Sequence, residues 1–102
     1  MKYGLNENII VNLKNIFSLY SEIEEVILYG SRAKGNYKNG SDVDLTFTGD
    51  ELNQNNLNTI SLKIDDLYLP YTFDLSLYKS IKNSELLEHI SRVGIKIYSK
   101  TV

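Results

Sequence analysis

The apolar positions of this 102-residue chain change their period several times. Between residues 6 and 21, Ile9, Leu13, Ile16 and Tyr20 fall on one stripe with Ile10 and Phe17 beside it, the 3.6-residue spacing of an amphipathic helix. Asn6 or Asn8 is suited to cap its start. "EEVILYG" is short, β-branched and aromatic, and predicts a buried strand stopped by Gly30. Residues Ser31 to Tyr37 then predict a short helix or turn. In "SDVDLTFTGD" the period becomes two: Val43, Leu45 and Phe47 share one face, and Asp42, Asp44, Thr46 and Thr48 share the other. That pattern predicts a half-buried strand with a polar working face.

Beyond Leu52 an Asn-rich piece, "NQNNLN", predicts a mobile, loop-like start to a helix carrying Leu57, Ile60, Ile64 and Leu67. Pro70, the one proline, is placed to end it. "YTFDLSLY" alternates again, with Tyr71, Phe73, Leu75 and Leu77 inward and Thr72, Asp74, Ser76 and Tyr78 opposite. A last helix, capped by Ser84, carries Leu86, Leu87, Ile90 and Val93 to about Gly94, and "IKIYS" reads as a final strand. The order α, β, short α, β, α, β, α, β predicts an α/β (α+β) fold. In it a mixed sheet of about four strands has its core face covered by helices. Residues 1–102 are expected to form a single domain.

Composition narrows the functional classes. A hydrophobic share of 42% with 24% charged residues is that of an ordinary globular domain. No apolar run approaches the roughly 20 residues that span a bilayer, so no membrane partner is expected. The chain has no cysteine, which excludes disulfides and thiolate metal sites and fits a cytoplasmic protein. A net charge of -2 argues against nucleic acid as a stable partner, because phosphate-led binding needs a dominant basic surface.

The chemistry concentrates in "YGSRAKGNYKNGSDVDLTF", residues 29 to 47. Gly30 and Ser31 stand where a strand feeds a short helix, an arrangement whose free N–H groups favour a phosphate. Gly30 and Gly35 have the interval of a P-loop, but Asn36 and Tyr37 follow where that motif needs Lys and Ser or Thr. Asp42 and Asp44 leave one strand face with Cα atoms roughly 6 to 7 Å apart. Bare carboxylates at that range repel by about 2.5 kcal/mol at an effective dielectric of about 20. A bound cation turns the repulsion into coordination, and an all-oxygen site suits magnesium with the phosphates of a nucleotide. Asp74 joins the pair if its strand neighbours theirs and points the same way. Two ions are then accommodated, one for an attacking hydroxyl and one for a leaving pyrophosphate, with Asp74 on the attacking side.

Gly30-Ser31, ten residues, then Asp42-Val43-Asp44 resembles the signature of the DNA polymerase beta-like nucleotidyltransferase superfamily. "GSRAKG", "SDVDL" and the later "FDL" are more narrowly similar to its minimal nucleotidyltransferases, over nearly the whole chain. The resemblance implies a Mg2+-dependent transfer of AMP from ATP to an acceptor hydroxyl. It places Gly30 and Ser31 on the phosphates, Arg32 and Ser41 among the nucleotide-binding candidates, and Asp42, Asp44 and Asp74 as catalytic metal ligands. It also implies a HEPN-domain protein as partner, a toxin adenylylated on tyrosine, with this chain as the antitoxin. Two rival readings stand beside it: an antitoxin that binds and occludes its partner without catalysis, and a nucleotidyltransferase acting on a small molecule or an RNA end.

Other residues carry weaker signals. Arg32, and Lys34 less so, are candidates to contact the triphosphate or the partner, against the plainer reading of solvated side chains on a short exposed helix, and Arg32, Lys34 or Lys38 are also available to pair with the aspartates on the surface. His89, the one histidine, reads as an exposed helical position. Tyr20, Tyr71 and Tyr98 read as core, and Tyr37 and Tyr78 as candidates for stacking on a base.

Overall fold

The computed structural model describes residues 2–100. Its centre is a four-stranded mixed sheet of order β3-β2-β1-β4. Strand β1 (Glu25–Tyr29) runs antiparallel to both β2 (Val43–Thr48) and β4 (Ile95–Ser99). The edge strand β3 (Phe73–Leu77) runs parallel to β2. A parallel pair needs a crossover, and helix α3 (Gln54–Asp65) supplies it. Helices α1 (Glu7–Phe17), α2 (Ser31–Lys34) and α4 (Ser84–Val93) complete the architecture.

The core lies on one face of the sheet. Leu13, Ile16 and Phe17 of α1 and Leu57, Ile60 and Ile64 of α3 close over Val26, Leu28, Val43, Leu45 and Phe47. These are the strand positions that the period-two pattern turns inward. Phe17 meets Phe47 edge-on with ring centroids 5.4 Å apart, a contact worth about 0.5–1.5 kcal/mol beyond the area it buries. A bulge shifts the β1–β4 register between Val26 and Ile27, so that the consecutive residues Ile97 and Tyr98 both pack on this core.

Several boundaries differ from the sequence reading for local reasons. Asn6 is the cap of α1, its side-chain oxygen accepting from the Ile9 N–H at 3.0 Å. The helix closes at Ser18, so Tyr20 lies past its end and hydrogen-bonds Thr59. The Asn-rich stretch is no loop: Asn53 and Asn56 form a reciprocal capping box that starts α3. Asp66 ends α3, four residues before Pro70. Asn83 rather than Ser84 caps α4, accepting from the Glu85 and Leu86 N–H groups.

The second sheet face is also covered in part, which the sequence reading did not foresee. Helix α4 packs there against β1, with Ile90 buried apart from the main core. At its end Gly94 approaches so closely that an added methyl group would strike Ile27 and the Ile90 carbonyl. Thr46, assigned to the polar face, is fully buried and donates to the Ser76 carbonyl at 3.4 Å. Asp44 and Asp74 lie at one end of that face, two residues before Thr46 and Ser76 on their strands.

Candidate active site

Across that end three residues form one row. Asp44 on β2 is the register partner of Tyr29 on β1 and of Asp74 on β3. Partners in register project from the same sheet face, and neighbouring strands are about 4.8 Å apart. Asp42 immediately precedes β2 rather than lying within it. Burial raises the pKa of Asp44, and the Asp74 and Asp42 carboxylates add to the rise. Tyr29 is raised too, by burial first and by Asp44 and Asp74, against an opposing contact with Ser76. Burial and like charge thus both disfavour the ionised form of Asp44, and no ion pair among the described residues relieves it. The ion pairs among the described residues are Arg92–Glu88 and Lys96–Glu25, so Arg32, Lys34 and Lys38 do not neutralise the aspartates.

That uncompensated, all-oxygen cluster has the donor chemistry of a hard divalent cation. Among the described residues no three His, Asp or Glu side chains are already gathered into a finished cage. Asp44 and Asp74 are the strand-borne donors, with Asp42 beside them at the strand's entrance.

The glycine–serine turn abuts this row. Gly30 has φ 78° and ψ -158°, a conformation closed to other residues in practice. A methyl group added there would collide with Asp44 Oδ2. Ser31 is the first helical residue of α2 and Gly30 occupies the cap, so the serine hydroxyl does not cap the helix. Its side chain is half-buried beside the carboxylates' end of the sheet.

Arg32 and Ser41 are placed differently from the sequence reading. Arg32 is 2% exposed. Its guanidinium donates to the Ser41 carbonyl from Nε at 3.2 Å and Nη2 at 2.9 Å, and to the Tyr3 carbonyl from Nη1 at 2.8 Å. The rings of Tyr37 and Tyr71 lie 5.3 and 5.0 Å from its centre. Ser41 Oγ accepts from the Lys38 N–H at 2.8 Å and closes a turn. These bonds give Arg32 a supporting role: it ties α2 to the residue before Asp42 and so fixes the turn against the strand.

Tyr37 beside Arg32 lines a cavity of about 450 Å³ with Tyr71, Lys38 and Asn39. A larger hollow of about 700 Å³ opens at the opposite end of the sheet among Glu22, Glu24, Glu25 and Asp50, and holds none of the candidate residues.

Two residues of the site escaped the sequence reading. His89 is not a free surface histidine: its Nε2 accepts from the Gly30 N–H at 3.0 Å, and its ring meets Tyr29 edge-on at 6.2 Å. Its spacing carried a signal, since it follows Leu86 by three and precedes Ile90 and Val93 by one and four. It therefore borders the apolar stripe of α4. Tyr29, read as a strand residue only, stands in the carboxylate row.

A mixed sheet bearing a Gly-Ser turn against an Asp-x-Asp strand, with a third aspartate in register, defines a nucleotidyl-transfer class of protein. The sequence model described as "Polymerase beta, Nucleotidyltransferase" matches residues 11–101, and the chain belongs to that family. Among curated proteins none matches. Among solved structures it is similar to a toxin–antitoxin crystallised with AMP-PNP, with TM-score 0.70 and 21% identity over 94% of this chain and 75% of that one. It is also similar to a complex of the tri-AMPylated Shewanella oneidensis HEPN toxin with its MNT antitoxin, with TM-score 0.60 and 15% identity over 90% and 73%. A candidate nucleotidyltransferase from Sulfolobus solfataricus gives TM-score 0.54 and 22% identity over 98% and 90%. These likenesses establish the fold.

Proposed function

We propose that this protein transfers AMP from ATP to a hydroxyl group of a HEPN-domain partner, a tyrosine of a toxin that it thereby neutralises. The observation that carries the reading is the in-register pairing of Asp44 with Asp74 beside the Gly30–Ser31 turn. Family membership supports nucleotidyl transfer, and the likeness to antitoxins solved with AMP-PNP and with an AMPylated HEPN toxin supports ATP and that acceptor.

Gly30 and Ser31 receive the triphosphate, the serine hydroxyl donating to a phosphate oxygen. Asp42, Asp44 and Asp74 hold the divalent cations, with magnesium the natural choice for three carboxylates and a triphosphate. When bound, those ions neutralise the phosphates and favour attack by a hydroxyl oxygen. Asp74, exposed on the edge strand, faces the incoming acceptor and orients its hydroxyl. The new bond joins the acceptor oxygen to the α-phosphorus, the bond to the bridging oxygen of the β-phosphate breaks, and pyrophosphate and the hydroxyl proton leave. Arg32 and Ser41 support the turn that receives the phosphates.

Co-expression with a HEPN protein tests this. With ATP and magnesium, intact mass spectrometry should find an AMP increment on the partner, and Asp42→Asn with Asp44→Asn should remove both the increment and the neutralisation. Neutralisation that survives the double substitution would instead establish occlusion.

A further inference from the structure

We infer that His89 is a positioning residue for the Gly30–Ser31 turn, holding it in the conformation that receives the triphosphate. The inference rests on the proposed nucleotide site and extends it to a helix that the motif does not include.

Gly30 is pinned from two sides. Its Cα lies against Asp44, which forbids any side chain there. Its N–H is taken by His89 Nε2 at 3.0 Å. The donor is thus committed to the protein, and this glycine contributes shape to the site, not its own N–H to a phosphate. A backbone N–H that donates to no such partner, on a glycine at positive φ, is free to rotate with the peptide plane, and the aim of the following Ser31 hydroxyl would change with it. His89 removes that freedom. For Nε2 to accept, the ring carries its proton on Nδ1, a tautomer assigned here from the hydrogen bond. The edge-on contact with Tyr29 fixes the ring plane, and Tyr29 is itself the register partner of Asp44. Helix α4 therefore closes a ring of contacts, His89 to Gly30 to Asp44 to Tyr29 and back, around the phosphate turn.

The test compares wild type with His89→Ala, His89→Leu and His89→Gln. Leucine keeps an apolar side chain against Tyr29 but offers no acceptor, whereas glutamine reaches as far as Nε2 with an oxygen. Exchange of the Gly30 amide with solvent, followed by NMR, should accelerate about tenfold or more in the Ala and Leu variants and return towards wild type in Gln. The dissociation constant for ATP with magnesium, measured by calorimetry, should rise about tenfold in Ala and Leu and fall within about threefold of wild type in Gln. Unchanged Gly30 exchange, or ATP affinity in both Ala and Leu equal to that of wild type, overturns the assignment while the nucleotide site stands. A wild-type protein that binds no ATP overturns the site itself, and this assignment with it.

Discussion

The carboxylate of Asp44 lies against the Cα of Gly30, so that strand β2 and the turn after β1 touch at the point where a side chain would otherwise stand. The sequence separates the two by thirteen residues, and the contact is what converts two motifs into one site. Gly30 is fitted to it by its backbone as well, with φ 78° and ψ -158°.

Gly30→Ala is therefore expected to cost about 1–3 kcal/mol from backbone strain alone, before the collision with Asp44 is added. Urea denaturation would measure the loss, and ATP binding should disappear in variant protein that is still folded. Full ATP affinity in Gly30→Ala would show that the turn does not depend on this fit.

Asp44→Asn should make the protein more stable at neutral pH, measured without divalent cations. Burial, Asp74 and Asp42 raise the native pKa of Asp44 above its ordinary 3.8, so the native state holds the proton more tightly than the unfolded chain does. That contribution to stability is complete below pH 3.8 and is lost as pH rises through the native value. Asparagine does not titrate and escapes the loss. The gain in Tm should be present at pH 7 and vanish in acid, and a variant less stable than wild type at pH 7 would contradict the charge crowding.

Asp74→Asn should separate binding from transfer. Asp74 is on the edge strand facing the acceptor, so the variant is expected to bind ATP with magnesium within about threefold of wild type, while AMP transfer falls by about 100-fold or more. Asp42→Asn with Asp44→Asn should lose both. Equal loss of binding in all variants would assign Asp74 to the triphosphate.

Arg32→Lys is expected to destabilise by about 2–4 kcal/mol, because an ammonium cannot reproduce the forked bonds to Ser41 and Tyr3 and leaves partly buried carbonyls unpaired. Denaturant titration measures this. A folded variant whose only defect is weak ATP binding would return Arg32 to the nucleotide.

The aspartate row was legible because strand periodicity is local: alternation in "SDVDLTF" and "YTFDLSL" fixes which side chains share a face whatever the partner strand. The turn was legible for the same reason, since glycine and serine between a strand and a short helix constrain the backbone within a few residues. Helix ends were read less well. The Asn53–Asn56 box and the Asn83 cap depend on side-chain bonds that a polar run conceals.

By itself, then, the sequence determined the elements, their buried faces and the placing of Asp44 and Asp74 on polar strand faces. Tertiary structure alone decided that β2 and β3 pair in the register that sets those two side by side. It also buried Arg32 as a clamp and brought His89 from α4 to Gly30, 59 residues away. Periodicity reports a residue's direction relative to its own helix or strand, whereas what it meets depends on how those elements cross, and no local pattern encodes that distance.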